Sequence, residues 1–291
     1  MRISTLSIMV GSSTCNLRCK YCISRTTYNI HEKDKLFVPS EDLVEKAARV
    51  FTQSEGFTAL ITGKGEPTLI PHQKLVNLIH TLYKFTPVIE LQTNGIFLTN
   101  GIVKDYTKAG LSAVAISCAS SDDKFNFQMM ANGCGKPWNL AEKIKLVIKN
   151  SLVLRLTLVA GRGGVDSVPS FLKFIHWLKF LAPQNYPLQI TIRQMGLPLR
   201  YQLKTRRGKE VAKFVRVNMI DTKPIWEYLK KHGQKIITFP WGSEVFDFEG
   251  ISVCIAECLT IRPQDDTIRS AILYPDGHLR YSWEFPGAVI F

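Results

Sequence analysis

The chain has 291 residues, 45% of them hydrophobic, and carries 37 Lys and Arg against 24 Asp and Glu. A chain of this length buries a large core, as one big α/β domain or two smaller ones, and the composition excludes a disordered protein. No apolar run reaches the roughly 20 residues that a bilayer span needs; the candidate SLVLRLTLVAG is short and carries Arg155.

The elements are expected in a regular alternation. LSIMVGS, residues 6–12, predicts a first strand running straight into a cysteine-rich loop. No charged-then-apolar leader pattern precedes it, so a reducing, cytoplasmic setting is expected, in which disulfides are the weaker reading. SEDLVEKAARVFTQ has apolar residues at helical spacing, with Ser40 placed to cap it. FTALITG is a strand, HQKLVNLIHTLYKF a helix, and VIELQTNG a strand ending in an Asn-Gly turn. NGIVKDYTKAG is a helix stopped by Gly110, followed by the strand SAVAISC and the helix NLAEKIKLVIKN. LVLRLTLVAG, VPSFLKFIHWLKFL and LQITIRQMG complete six strand-helix steps before about residue 195, a pattern that predicts a parallel sheet with helical crossovers.

The pattern then changes. From residue 196 the chain reads as basic and irregular, and between Arg193 and Lys235 twelve Lys and Arg face three Asp and Glu. This is either an electrostatic footprint for an anionic partner or a solvated basic face. KPIWEYLKKHGQ predicts one more helix, ITFPWGSEVFDFEGISVCIAECLTIR short strands, and SAILYPDGHLRYSW a hairpin turning at Pro275-Asp276-Gly277. Residues 196–291 are therefore expected as a C-terminal α+β extension capping a barrel-like domain of residues 1–195, not as an independent domain.

Cys15-Asn-Leu-Arg-Cys19-Lys-Tyr-Cys22 holds three of the seven cysteines within eight residues. The odd total leaves one thiol over in any disulfide scheme. A metal site accounts for the spacing better, although zinc and the common iron–sulfur sites take four protein ligands. Three thiolates on one loop can hold three irons of a [4Fe–4S] cluster and leave the fourth open to a small molecule. In parallel α/β folds the loops that leave the C-terminal ends of strands are where active sites form.

With an aromatic residue just before its last cysteine, this C-x3-C-x2-C stretch resembles the signature of the radical S-adenosylmethionine (radical SAM) enzymes. The resemblance implies a partial (βα)6 TIM-like barrel. It makes Cys15, Cys19 and Cys22 the cluster ligands and S-adenosylmethionine the fourth ligand. Reductive cleavage of its sulfonium then yields a 5′-deoxyadenosyl radical that abstracts hydrogen from substrate. ITGKGEPTL, residues 61–69, resembles the family's Gly-Gly-Glu-Pro motif, departing from it by Lys64 between Gly63 and Gly65. Glycines let the backbone approach a ligand, and Glu66 with nearby carbonyls would take hydrogen bonds from the SAM ammonium. The plain reading of the same stretch is a strand-to-helix turn ended by Pro67. Thr93 and Asn94 at the third strand's end and Ser117 at the fourth's match the family's contacts to the SAM carboxylate and ribose. A good turn at Asn94-Gly95 and a backbone cap by Ser117 are the plainer alternatives. Tyr21 would meet adenine chiefly through its backbone. Arg155, inside the fifth strand, needs an anion, a cofactor carboxylate or Glu66, unless it points outward.

The resemblance covers roughly residues 6–195 and leaves the substrate open. The C-terminal ISVCIAECLTIR…SAILYPDGHLRYSW resembles the end of the molybdenum-cofactor GTP cyclase and of the SPASM/twitch enzymes. Here only Cys254-x3-Cys258 remains, and Tyr281-Ser282-Trp283 follows the hairpin without a cysteine. Neither Cys118, read as a buried strand residue, nor Cys134 convincingly completes a second cluster. The extension is expected to keep the shape without that metal, and to bring Arg193, Arg269, Trp241 and Trp283 to the substrate pocket. The dispersed histidines, His31 included, suggest no metal site. The expected substrate is a small anionic metabolite or nucleotide, or a peptide, with a reductant such as flavodoxin or ferredoxin and no membrane. An RNA-modifying radical SAM enzyme, with nucleic acid as partner, is the alternative. A non-catalytic metal- or cluster-bearing binding module is a distant third, since a structural metal site needs neither Glu66 nor the other strand-end residues.

Overall fold

The structure is a computed structural model, and the residues it describes are 2–11, 14–26, 37–131, 138–256, 267–283 and 287–291. The predicted positions His31, Cys134 and Cys258 lie outside them. The chain divides into two compact units. One comprises Met1–Cys15, Thr27–Ala115 and Pro263–Phe291, and the other Asn16–Thr26 and Ile116–Arg262. No helix among the described residues is long and apolar enough to cross a membrane.

In the first unit, β1 (Arg2–Met9), β2 (Thr58–Thr62) and β3 (Val88–Thr93) lie parallel. They are joined by α1 (Glu41–Gln53) and α2 (His72–Tyr83), and α3 (Asn100–Ala109) leads on to β4 (Ala113–Cys118), inside which the chain passes to the second unit. Ser40 caps α1 as predicted, its hydroxyl accepting from the Leu43 amide at 3.4 Å. Gly110 ends α3 at φ 108°, where any side chain is strained and a Cβ would also sit 2.5 Å from the Tyr83 ring. β1 starts four residues before the predicted strand. Its first residues pair in parallel with β10 (Thr267–Leu273), Arg2 opposite Thr267 and Thr5 opposite Ser270. β10 turns back antiparallel into β11 (Leu279–Arg280), at the predicted Pro-Asp-Gly turn.

In the second unit, α4 (Asp123–Asn126) runs into a π-helical turn at Phe127–Ala131, and α5 (Leu140–Lys149) leads to β5 (Val153–Ala160). α6 (Val168–Leu181) carries the chain to β6 (Leu188–Gln194), parallel to β5. Residues 196–222, expected as irregular, contain a helix: α7 (Arg206–Asn218). Thr205 caps it, accepting from the Gly208 amide at 2.9 Å, and Val211, Ala212 and Val215 form its buried stripe. Arg and Lys are good helix formers; the charge and Gly208 obscured a short apolar period. After α8 (Lys223–His232) come β7 (Gln234–Thr238), β8 (Glu244–Phe248) and β9 (Ile251–Ala256), with β9 parallel to β6 and the order β5-β6-β9-β8-β7.

Period-2 alternation gives β2, β5, β6 and β9 one dry and one more polar face. In the first unit, Leu6, Ile8, Ala59, Ile61, Ile89 and Leu91 are fully buried. The opposite residues form polar pairs: Ser7 with Ser270 at 2.8 Å, Thr62 to Gln92 at 3.0 Å and Gln92 to Glu90 at 3.0 Å. In the second unit, Leu154, Leu156, Leu158, Ile192 and Val253 are fully buried, while Arg155, Thr157, Gln189, Thr191, Ser252 and Cys254 alternate with them, half-buried. Strands read this way suit helices on one face and a polar, ligand-accepting face on the other.

Candidate functional site

In the first unit the loops that leave β1, β2 and β3 are tied to one carboxylate. Glu66 is 3% exposed. Its Oε1 accepts from the Thr68 amide at 3.0 Å, the Thr68 hydroxyl at 2.6 Å and the Thr93 hydroxyl at 2.6 Å. Its Oε2 accepts from the Asn94 amide at 2.8 Å. The Glu66 amide donates to the Thr14 carbonyl at 2.9 Å, which fixes the chain immediately before Cys15. Burial pushes the Glu66 carboxyl above its ordinary range, and the hydrogen bonds from Thr68, Thr93 and Asn94 oppose that push without cancelling it.

The neighbouring residues show why the local sequence folds so. Pro67 opens a short 3-10 turn for which Glu66 is the cap. Gly63 is squeezed, since a Cβ there would lie 2.6 Å from the Val10 carbonyl oxygen. Thr93 is doubly used, its hydroxyl also accepting from the Gly95 amide at 3.0 Å. The Asn94 side chain accepts from the Ile96 amide at 3.0 Å, the turn role that its sequence allowed. Thr68 was missed by sequence reasoning. Its signal was a hydroxyl residue two places after Glu66, where both its amide and its side chain can reach back.

The squeeze at Gly63 gives a direct prediction. Gly63→Ala forces backbone against backbone and should lower stability by about 1–3 kcal/mol. That is a fall of roughly 2–4 °C in melting temperature for each kcal/mol. An unchanged melting temperature in differential scanning fluorimetry would show that the β1 and β2 ends are not packed this closely.

In the second unit the rest of the cysteine loop is pinned by its backbone. The Arg18 and Lys20 amides donate to the Met130 and Met129 carbonyls, each at 3.0 Å, and the Cys22 amide to the Cys19 carbonyl at 3.2 Å. Leu17 is buried as an anchor. Tyr21 is half-buried between the two cysteines. Ser117 is half-buried at the end of β4, and its hydroxyl makes no hydrogen bond among the described residues. Arg155 is spoken for in part. Its Nε and Nη2 both donate to Gln189 Oε1, at 2.9 and 2.7 Å, across the β5–β6 register.

The thiols differ in what they can do. Cys15 is exposed, and Cys19 and Cys22 are half-buried. Cys118 is fully buried, and burial pushes its thiol far above the ordinary range, so it stays neutral. Among the described residues no three His, Cys, Asp or Glu side chains converge as a single metal ion requires. A cluster asks for less, one thiolate on each iron. The loop thus offers three thiol donors within eight residues of chain. That donor set fits an iron–sulfur cluster held by three ligands.

Of the substrate-side candidates, Trp283 packs on Met9, Ile272 and Tyr274, its ring 6.1 Å from that of Tyr274. Trp241 stacks on Phe239 at 4.8 Å. The Arg269 carbonyl accepts from the Thr5 hydroxyl at 2.9 Å. Arg193, next to last in β6, is half-buried, and its side chain makes no ion pair or hydrogen bond among the described residues.

The sequence model of the Radical SAM superfamily matches residues 9–174 of the chain. The GTP 3',8-cyclase of Trichodesmium erythraeum is 32% identical over 129 residues, covering 43% of this chain and 38% of that protein. The human molybdenum cofactor biosynthesis protein 1 is 26% identical over 201 residues, covering 65% of this chain and 31% of that one. The matches thus span well under half the length of these relatives. Streptococcus suis SuiB bound to S-adenosylmethionine superposes on 98% of this chain and 61% of its own, with a TM-score of 0.62 at 13% identity. SuiB has also been solved with its precursor peptide SuiA. The likeness to SuiB shows the fold, an α/β partial barrel of the TIM type.

Proposed function

The chain belongs to the radical SAM superfamily, and we propose on that footing that it cleaves S-adenosylmethionine reductively and directs the resulting radical at an anionic metabolite, nucleotide or peptide. A [4Fe–4S] cluster binding S-adenosylmethionine would supply the electron for reductive cleavage of the sulfonium. Cys15, Cys19 and Cys22 are its proposed ligands. The observation that carries the reading is the Glu66 assembly, in which one buried carboxylate gathers the strand-end loops beside Cys15. A structural metal site has no use for it.

The chain's own residues bind and orient. Oε2 of Glu66, with one accepted hydrogen bond against three on Oε1, keeps room for an ammonium donor. The Gly63 and Gly65 backbone admits a ligand's close approach. Thr93 and Asn94 set that carboxylate, and Ser117 brings a hydroxyl for a ribose or carboxylate. Arg155, steadied by Gln189, and Arg193, which meets no carboxylate among the described residues, line a polar strand face suited to an anion. Tyr21 would meet the adenine, chiefly through its backbone. Residues 1–195 are the catalytic barrel and 196–291 the extension that shapes substrate access. A flavodoxin- or ferredoxin-type donor supplies the electron.

The test is anaerobic. Protein reconstituted with iron and sulfide is reduced with dithionite and given S-adenosylmethionine, and 5′-deoxyadenosine is quantified by mass spectrometry. Deuterated nucleotides and peptides then identify the substrate by label appearing in that product. A loaded protein whose EPR spectrum ignores S-adenosylmethionine, and which yields no deoxyadenosine with any candidate, would sink the reading.

A further inference from the structure

The charge of the 193–235 stretch is not spread evenly over the second unit; it concentrates on α7 and the loop before it. Arg206, Lys209, Lys213 and Arg216 fall on one helical stripe, and Arg200, Lys204 and Arg207 lie close by in sequence, all seven exposed. The one acid on the helix, Glu210, pairs with Arg206 at 3.0 Å. Among the described residues, Lys209, Lys213 and Arg216 meet no carboxylate. These three rim a shallow surface cleft of about 380 Å³, whose other lining residues are Leu203, Ala212 and Val217. Val217 is 58% exposed, a large apolar group left in water among cations.

We propose that this cleft docks an acidic, amphipathic peptide segment of the enzyme's substrate, with apolar side chains on Leu203, Ala212 and Val217 and carboxylates on Lys209, Lys213 and Arg216. The site lies beside the chemistry. α7 packs against the short turn Ile23–Arg25 that follows Cys22, and the Lys20 ammonium lies 5.8 Å over the Phe214 ring. A single-stranded nucleic acid would also answer the charge, but it gains much of its affinity by stacking bases on aromatic rings. None of the six lining residues is aromatic. An apolar floor with charged edges is instead what an amphipathic helix uses when it lies in a groove, and the cations steer it there. Only the role of the peptide as substrate rests on the radical SAM reading; its docking does not.

Fluorescence anisotropy on the reconstituted protein, without S-adenosylmethionine, tests the docking alone. The probes are a short labelled Leu/Glu peptide at helical spacing, a Ser/Glu peptide of equal length and charge, and an oligouridylate of matching charge. The Leu/Glu peptide should bind at least about tenfold tighter than the Ser/Glu peptide, the effect of one well-buried apolar anchor. Val217→Asp should erase that difference. Lys209→Glu, Lys213→Glu and Arg216→Glu together should abolish binding with the melting temperature kept, since all three are exposed. Equal binding of both peptides, tighter binding of the oligouridylate, no binding of either peptide, or variants that bind like wild type would each overturn the proposal. Deoxyadenosine formation is scored separately. Docking without it would leave this surface standing and fell the catalytic reading, and the reverse pattern would do the opposite.

Discussion

Cys19→Ala should leave a folded protein that takes up little iron and forms no deoxyadenosine above background. The side chain is half-buried on a loop whose shape comes from its backbone. The Cys22 amide donates to the Cys19 carbonyl, and Arg18 and Lys20 are held by Met130 and Met129. Alanine preserves all of these bonds, so the apo variant's stability should stay within about 0.5 kcal/mol of wild type. What it removes is one of three thiolates, and two thiolates cannot hold a cubane with one open iron. Cys118→Ala is the matched control. Its thiol is buried and kept neutral, so iron content should not change, although the lost volume costs some stability. Iron and sulfide assays with the EPR spectrum of the reduced protein read both outcomes. A Cys19→Ala protein with a full cluster would move the metal site elsewhere, with Cys254 the first place to look.

The sequence carried the alternation of strands and helices because each element writes its own period. α1, α3 and α6 lie within a residue or so of where apolar spacing and caps put them, and Gly110 and Gly277 mark turns by backbone freedom, with Pro275 fixing φ ahead of the second. What stayed hidden depends on partners distant in the chain. Nothing in Arg2–Thr5 announces a strand; it becomes one because β10, more than 260 residues later, pairs with it. α7 was hidden for a different reason, a buried stripe of three small or β-branched residues among six charges. At the site, Glu66, Thr93 and Asn94 were visible as motif residues. Their mutual hydrogen bonds were not, and neither was Thr68. Arg155 shows the limit of strand phase, which could not tell that Gln189 on the next strand would take its guanidinium.

Glu66→Ala should be the most damaging single change outside the cysteines. It strands the Thr68 and Asn94 amides and two hydroxyls without their acceptor, and unties the loop after β2 from the loop after β3. Leaving a buried donor unsatisfied costs about 1–3 kcal/mol each, so the two amides alone imply a fall of roughly 5–10 °C or more in melting temperature. Glu66→Gln separates structure from chemistry. The amide oxygen can keep the three bonds on Oε1, while the amide nitrogen faces the Asn94 N–H as donor against donor and carries no charge. Its melting temperature should fall far less, yet binding of S-adenosylmethionine should weaken, because an ammonium partner needs a carboxylate. The pH dependence discriminates further. Burial raises the folded-state carboxyl above its unfolded value near 4.5, so the folded protein holds this proton more tightly. The corresponding stability is fully present below that unfolded value and is lost as pH rises through the folded one. Wild type should therefore lose stability relative to Glu66→Gln as pH is raised from 4.5 toward neutrality. A difference in unfolding free energy that stays flat across that window would mean the hydrogen bonds of Thr68, Thr93 and Asn94 fully offset the cost of burying the charge, and that Glu66 stands ionised before any ligand arrives.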